Sequence, residues 1–493
     1  MRKQLLIIPL LCVALSGCQN NIRQEEKLAR THCSTCHQFP EPALLDKKTW
    51  TKKVLPEMAF RMGIDLSQLF TLSQDDYPYV SKTLPQNPLV KPEEWEAIVR
   101  YFEREAPDTL LIIAPEPAAP LRQFNPEAIT LPASNNFPLF SLLQVDTLNK
   151  RIYTSNRLNW LHQWNYSFRA IDSIQVGSPV SSVALLSEPV FAAMGNMDPN
   201  DQPKGELIRL ANGKLVQVAD SLRRPVFVAA ADFNQDNQMD FVVCNFGNYG
   251  GDLMILENQG NQKFKRHILS PLPGARKVIV RDFNNDGLPD VLAQLTQGDE
   301  QISLFTNGGN FRFKINTLLR FPSVYGSSYF DIVDFNKDGY LDILYTNGDN
   351  ADYSIILKPY HGVRIFLNDG KNQFTESWFH PMQGCSWAVA RDFDKDGDVD
   401  IAAIAFFPDF NRAPEQSFIY FENQQGNLVA HTTPLATTGR WLVMETFDID
   451  GDQDEDILLG ALNFNNGVPP AVVTGWKEKP VSLLLLRNNR SVY

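Results

Sequence analysis

A nine-residue segment rich in aspartate recurs five times between residues 232 and 456, and it constrains the fold more than any other feature of the chain. The segments begin at residues 232, 282, 334, 392 and 448, so their starts are 50, 52, 58 and 56 residues apart. A repeat of roughly 50 residues is typical of propellers, solenoids and arrays of similar units. The length of 493 residues leaves room for two or three folding units.

Each segment carries oxygen-bearing side chains at positions 1, 3, 5 and 9, and three of the five have glycine at position 6. This pattern resembles the first nine positions of an EF-hand loop, in which alternate side chains converge on Ca²⁺. Apolar strand-type residues follow at once, so we expect the loops to join strands rather than helices. We predict up to five structural calcium ions, with these ligands: Asp232, Asn234, Asp236 and Asp240; Asp282, Asn284, Asp286 and Asp290; Asp334, Asn336, Asp338 and Asp342; Asp392, Asp394, Asp396 and Asp400; Asp448, Asp450, Asp452 and Asp456.

The net charge of −12 argues against sequence-independent binding to nucleic acid. About a third of the carboxylates lie in the five segments, so the acidity mainly reflects predicted metal ligands. None of the seven histidines lies in a nucleophile motif or a zinc-binding pair. The regular spacing of the paired carboxylates favours calcium binding over glycosidase chemistry.

The strands around the loops resemble the FG-GAP (VCBS) repeats of integrin-type β-propellers. In the first repeat, an apolar strand at residues 225–229 leads into the loop, a third strand ends at residues 253–258, and a fourth begins near Phe264. Two degenerate units, around residues 142–153 and 180–194, precede the five and lack the ligand set, so we predict no metal there. The resemblance implies a mainly β fold, a seven-bladed β-propeller over residues 124–493.

The two ends of this region predict how the ring closes. The last repeat stops near Asn489 without a Phe-led fourth strand, whereas residues 124–132 resemble a fourth strand that has no preceding partner. We therefore expect the strand that begins at Phe124 to complete the last blade. An open array of separate modules is the alternative.

The segment Cys33-Ser-Thr-Cys36-His37 is the Cys-x-x-Cys-His signature of c-type haem attachment. Two thiols at this spacing can add to the two haem vinyl groups while the adjacent histidine reaches the iron. A thioredoxin-like redox pair would need a surrounding strand–helix–strand pattern, which the sequence lacks. We predict one covalent haem c, held by Cys33 and Cys36, with His37 as an axial ligand.

Met58 and Met62 are the candidates for the other axial ligand. Residues 50–63 resemble the short cytochrome c domains that are fused to repeat domains in exported bacterial proteins, and this resemblance implies Met58, with Met62 as the alternative. An apolar stripe after Pro92 predicts a closing helix. We expect a small all-α mono-haem cytochrome c domain at residues 27–106 and a Pro-rich linker at residues 107–123.

The first residues predict export. Two basic residues precede an apolar run at residues 5–15 that is too short to span a bilayer as a helix. The ending Leu15-Ser-Gly-Cys18 resembles the bacterial lipobox, which implies a signal peptide at residues 1–17, lipidation of Cys18 and a tether at residues 18–26. We expect anchoring to the outer membrane, on the periplasmic side or at the cell surface.

Three functions fit these features. The first is electron transfer by the haem, with the propeller docking a redox partner protein, a small-molecule electron donor or another ligand. The second is an oxidoreductase that acts on a sugar or alcohol and reduces its own haem, and the third is adhesion or carbohydrate binding. By strand parity, long connections in the late blades share the face opposite the Asp loops. Candidate docking residues on that face are Arg224, Arg276, Tyr325, Trp387 and Arg440.

Overall fold

The computed structural model describes residues 23–113, 116–132, 137–350 and 355–489. The chain divides into two compact units, Met1–Leu111 with Pro322–Val324, and Ile112–Phe321 with Tyr325–Tyr493. Cys18 and the predicted signal peptide lie outside the described residues. Among the helices in the described ranges, none has the length and hydropathy needed to cross a membrane.

The first unit is helical over residues 23–105. Its first helix covers residues 23–33. The later helical segments are Pro42–Leu44, Lys47–Thr49, the π-helical turn Trp50–Val54, Leu55–Arg61, Ser67–Thr71, Tyr77–Val80, Ser81–Thr83 and Pro92–Glu105.

An aromatic core holds these helices together. The predicted closing helix begins at Pro92 and buries Phe102, whose ring centroid lies 4.5 Å from that of Trp50. The indole of Trp50 donates a hydrogen bond to the carbonyl of Pro42 at 2.8 Å. Glu25 on the first helix accepts hydrogen bonds from Arg100 and Arg104 on the last, at 3.0 and 2.5 Å. The helix that ends at Cys33 is thus fixed to the closing helix.

Within the described residues, the strands of the second unit form seven sheets, which confirms the seven-bladed propeller. The strands of each blade pair in antiparallel order, and the first strand of each blade contacts the first strands of both neighbouring blades. The contact between the first strands of blades 7 and 1 closes the ring. The units predicted without calcium loops form blades 1 and 2.

The strands of blades 1 to 3 are, blade by blade, Phe140–Asp146, Arg151–Asn156, Trp160–Asn165 and Ala170–Gln175; Val180–Ala184, Val190–Ala193, Gly205–Ala211 and Lys214–Leu222; Pro225–Ala231, Asp240–Asn245, Asp252–Asn258 and Phe264–Ser270. The strands of blades 4 and 5 are Ala275–Arg281, Asp290–Leu295, Gln301–Asn307 and Phe313–Arg320; Ser327–Val333, Asp342–Asn347, Gly362–Asn368 and Phe374–Pro381. Blade 6 contains Cys385–Arg391, Asp400–Ala405, Phe418–Gln424 and Asn427–Thr432, and blade 7 contains Trp441–Phe447, Asp456–Ala461 and Leu483–Asn488. The helical segments of this unit are Pro414–Ser417, Pro434–Thr438 and Pro470–Glu478.

The second strand of each blade from 3 to 7 is buried along its whole length, because the neighbouring blades cover both of its faces. This explains why these strands are nearly continuous apolar runs rather than alternating ones. Cys244 lies in the second strand of blade 3 and Cys385 begins the first strand of blade 6; both are buried, and neither forms a disulfide.

The strand Phe124–Ile129 completes blade 7, as predicted. It pairs in antiparallel order with the last strand, from Phe124 opposite Asn488 to Ile129 opposite Leu483. The Phe124 ring is buried and meets the rings of Phe393 and Tyr420 edge-on, at centroid distances of 5.5 and 5.2 Å. Residues from the two ends of the propeller sequence therefore share one sheet and one core.

The end of the Pro-rich segment also joins the propeller. Ala119–Pro120 pairs in parallel with residues 431–432 at the outer edge of blade 6, and the amide of Leu121 donates to the carbonyl of Thr432 at 2.8 Å. The sequence predicted an extended linker up to residue 123. In the structure, residues 119–129 hold the outer edges of two successive blades.

Phe124→Ala should lower the free energy of unfolding of the propeller by about 3–5 kcal/mol, because it leaves a cavity in the closing sheet. Denaturant unfolding followed by tryptophan fluorescence measures this change. Leu148→Ala is the control, since Leu148 is 95% exposed and its loss should change stability by less than about 0.5 kcal/mol. Equal effects of the two substitutions would show that the closing strand does not stabilise the ring.

Candidate functional site

The aspartate at position 9 of each predicted calcium loop is buried and joins two parts of its blade. In blade 3, Asp240 accepts the amide of Phe233 at 3.0 Å and the amide of Asn258, at the end of the third strand, at 2.7 Å. The same two bonds recur in the other four loops. The position-9 carboxylates and the amides they accept are Asp290 with Phe283 and Asn307, Asp342 with Phe335 and Asn368, Asp400 with Phe393 and Asn423, and Asp456 with Ile449 and Asn488.

The asparagine at the end of the third strand is a structural residue that the sequence analysis did not assign. The side-chain amide of Asn307 donates to the carbonyl of Pro289 in its own blade and to that of Phe233 in blade 3. Asn488 bonds in the same way to Glu455 in its own blade and to Phe393 in blade 6. The distance along the chain from the position-9 aspartate to this asparagine varies between repeats, which conceals the pattern in the sequence.

Two residues of each Asp loop have a left-handed backbone conformation. Positions 4 and 6 of every loop have positive φ, as at Asn285 (60°) and Gly287 (87°) in blade 4. Glycine suits position 6 because this region is strained for residues with a Cβ atom. Asn237 and Gln453 adopt it without glycine, at 66° and 75°. The turn directs alternate side chains towards one point.

Carboxylates converge most closely in blades 6 and 7. Ligand oxygens of Asp392, Asp394 and Asp400 lie within 4.8 Å of one another. Asp448, Asp450 and Asp456 form the equivalent group in blade 7. In blades 3 to 5 an asparagine takes position 3, so its amide oxygen is the donor available there.

These donor sets fit Ca²⁺, which prefers carboxylate and amide oxygens. The position-5 aspartates accept the backbone amide at position 7, as between Asp396 and Asp398 at 2.7 Å. Burial raises the pKa of Asp400 to about 7, and a bound cation favours the ionised form.

The predicted haem-attachment residues lie together where the first helix ends. Cys33 is the last helical residue, a turn follows, and neither Cys33 nor Cys36 forms a disulfide. Burial, together with the nearby Cys36 thiol, raises the pKa of Cys33 to about 12. The Nδ1 atom of His37 lies 2.9 Å from the carbonyl oxygen of Gln38, which orients the imidazole ring. Two thiols and an oriented histidine in one turn suit covalent haem attachment.

The two candidate distal ligands lie one helical turn apart. Met58 is in the helix Leu55–Arg61, and the amide of Met62 donates to the Met58 carbonyl at 2.9 Å. Both side chains are half-buried. Two apolar side chains of this unit are exposed: Phe70 at 91% and Leu89 at 56%, and the amide of Leu89 donates to the Met62 carbonyl at 3.0 Å. A porphyrin is a large apolar group, so exposed apolar side chains are compatible with haem binding in this unit.

Three of the five candidate docking residues are held by local contacts. Arg224 donates to the carbonyls of Met197 and Gly247 at 3.1 and 3.3 Å. Arg276 lies 3.6 Å from the carboxylate of Asp349. Tyr325 is stacked on Tyr360, with 4.9 Å between ring centroids.

Arg440 is 1% exposed, so it is an internal residue and not part of a docking surface. Its guanidinium donates to the carbonyls of Phe406 and Phe464, each at 2.6 Å. Burial lowers its pKa to about 9. Arg440 therefore fixes the long connections of blades 6 and 7 to the first strand of blade 7.

Trp387 belongs to a polar and aromatic cluster on the first strands of the blades. Its ring stacks on Tyr329 at 4.2 Å, and the ammonium of Lys277 lies 3.6 Å from the Tyr329 ring centroid. Burial lowers the pKa of Lys277 to about 8. Glu445 accepts a hydrogen bond from Gln144 at 3.0 Å, and burial raises its pKa to about 8. The sequence showed Lys277 and Glu445 only as isolated charges in apolar strands.

Comparison with known proteins agrees with this fold. A sequence model of the FG-GAP-like repeat matches residues 232–293, 282–345 and 346–403, which include the Asp loops of blades 3 to 6. The chain therefore contains FG-GAP-like repeats, arranged as blades of a seven-bladed β-propeller.

No curated protein matches the chain. Among solved structures, the β-propeller domain of Myceliophteria thermophila Cps50 (Swd1) is similar, with 13% sequence identity and a TM-score of 0.42. The match covers 66% of this chain and 94% of that one.

If the blade 6 loop binds calcium as predicted, Asp392→Asn should remove about one calcium ion per chain, because it replaces the predicted ligand at position 1. Metal analysis after desalting measures the stoichiometry. Asp398→Asn is the matched control, since Asp398 is in the same loop but pairs with Lys337 at 2.8 Å. Unchanged calcium content in Asp392→Asn would refute the metal assignment.

We expect the wild-type propeller to lose stability as the pH rises from 5 to 7.5, and we expect Glu445→Gln to lose less. The pKa of Glu445 is raised in the folded protein, so the unfolded chain releases this proton first and stability falls as pH rises. The glutamine variant lacks this proton equilibrium. Thermal melts across this range measure the slope, with the exposed Glu127→Gln as the control. The same slope in wild type and Glu445→Gln would contradict the assignment.

Proposed function

We propose that this protein is a c-type haem electron-transfer protein whose propeller, stabilised by calcium, is a docking platform. The observation that carries the proposal is the Cys33–His37 segment. It places two thiols without a disulfide and an oriented histidine in one turn at the end of a fixed helix. Haem bound there would supply reversible one-electron chemistry.

Three residues of the motif would hold the haem. Cys33 and Cys36 would each form a thioether, which fixes the group to the end of the first helix. His37 uses Nδ1 towards the Gln38 carbonyl, so we assign Nε2 to the iron. The link between Glu25 and the closing helix keeps this segment in place.

Met58 is our proposed distal ligand, with Met62 as the alternative. Methionine ligation raises the reduction potential and suits electron transfer. Loss of the sulfur-to-iron charge-transfer band in Met58→Ala but not in Met62→Ala would support Met58. The reverse result would assign Met62.

Calcium in the five loops would stabilise the propeller without taking part in electron transfer. Each ion would neutralise a cluster of carboxylates next to a buried aspartate that already joins the loop to the third strand. We propose that a redox partner docks on the face with the long connections, where Arg224, Arg276 and Tyr325 are held in place. Lipidation at Cys18 would keep the protein at the outer membrane.

One experiment separates this function from its alternatives. The absorbance of the purified holoprotein is followed while candidate sugars, alcohols and redox proteins are added. A change of redox state that requires a protein supports electron transfer. Reduction by a sugar or alcohol alone would instead support an oxidoreductase, and the absence of any response would favour adhesion.

His37→Gln should abolish the low-spin haem spectrum, because the variant lacks the imidazole assigned to the iron. Absorbance spectra of the exported protein, oxidised and reduced, measure this. His32→Gln is the matched control, because His32 lies outside the motif and pairs with Glu94 at 3.8 Å. An unchanged spectrum in His37→Gln would overturn the assignment.

A further inference from the structure

A polar cavity of about 250 Å³ lies beside the point where residues 119–124 pass from the edge of blade 6 to the edge of blade 7. The residues that line it include Arg122, Gln123, Tyr420, Glu422, Gln424 and His431. None of the lining residues belongs to the haem-attachment segment or to the five candidate docking residues.

At the boundary between blades 3 and 4, which we call a seam, an aromatic ring fills the position equivalent to the cavity. Glu257 pairs with His267 at 2.6 Å, and the imidazole stacks on Phe311 at 4.3 Å. Blade 6 has the same pair, with Glu422 lying 2.9 Å from His431. Each glutamate directly precedes the asparagine whose amide bonds to the position-9 aspartate. Each histidine pairs with the residue three positions before that asparagine.

Arg122 takes the position of Phe311 at the seam between blades 6 and 7. Phe311 lies two residues before Phe313, which pairs with Asn307, and Arg122 lies two residues before Phe124, which pairs with Asn488. The fourth strand of blade 7, Phe124–Ile129, follows residues 119–120, which pair with the edge of blade 6. In blade 4 the fourth strand instead follows the third strand of the same blade. The His–Glu pair is therefore left beside a cavity instead of beneath an aromatic ring.

The lining is chemically mixed and nearly balanced in charge. Gln123 donates to Asn488 at 2.7 Å and Gln424 donates to Glu422 at 3.2 Å, and each amide nitrogen has a second N–H. These N–H groups and Arg122 can donate to a ligand, whereas Glu422 and the amide oxygens can accept. An anion would meet the Glu422 carboxylate, and a cation would meet Arg122. Vicinal hydroxyl groups both donate and accept, so they suit such a set without adding charge.

We propose that this seam binds a neutral saccharide unit, either as a free monosaccharide or as the end of a glycan. This binding is independent of the proposed electron transfer. The Tyr420 hydroxyl donates to Asp400 at 2.8 Å, so one wall of the cavity is attached to the blade 6 calcium loop.

The test uses the full-length holoprotein loaded with calcium. Saturation-transfer NMR and calorimetry measure binding of glucose, galactose, N-acetylglucosamine and inorganic phosphate. We expect saturable binding of at least one sugar and none of phosphate. Retention on a glycan-coated surface, competed by the free sugar, distinguishes a glycan end from a free monosaccharide.

Two variants and one control locate the binding. Arg122→Phe restores the aromatic residue of the other seam and should weaken sugar binding at least tenfold without lowering the melting temperature. Glu422→Gln should weaken it at least tenfold while keeping the shape of the cavity. Glu257→Gln, at the equivalent position in the filled seam, should leave binding unchanged. The proposal is overturned if no sugar in the panel binds, if phosphate binds instead, or if Glu257→Gln weakens binding as much as Glu422→Gln.

Discussion

The buried aspartate at position 9 of each Asp loop makes the contact on which the propeller most depends. A single carboxylate accepts one amide from its loop and one from the end of the third strand, so it joins these two parts of a blade. A buried carboxylate is stable only when it is hydrogen-bonded or paired with a cation. The amides satisfy part of this requirement, and calcium at the converging oxygens would satisfy the rest.

In two of the five loops, the asparagine that bonds to this aspartate also links its blade to the preceding one. Asn307 and Asn488 each bond to a carbonyl in their own blade and to one in a preceding blade. At these two positions the Asp loops fix neighbouring blades to one another as well as stabilising each blade. The closing strand at Phe124 completes this ring with residues from the other end of the propeller.

The sequence could predict the blades and their closure because these depend on local and repeated patterns. The Asp spacing identified the five loops, and the unpaired strand at Phe124 indicated how the ring closes. Contacts between residues far apart in sequence could not be predicted in this way. The sequence analysis placed Arg440 on a docking face. In the structure, its guanidinium donates to carbonyls of two long connections. The seam cavity depends on Arg122 meeting a pair some 300 residues away, which no local pattern reveals.

The haem proposal rests on a different kind of signal, a short motif whose chemistry is independent of the surrounding fold. The helix that ends at Cys33 is followed by the turn this motif needs, and the exposed Leu89, whose amide bonds to the Met62 carbonyl, is apolar surface that haem would cover. Intact-mass spectrometry of the exported protein, followed by peptide mapping, tests this claim most directly. The account predicts the added mass of one haem on the peptide that contains Cys33 and Cys36. A peptide with two unmodified thiols, from cells that attach haem to other proteins, would contradict it.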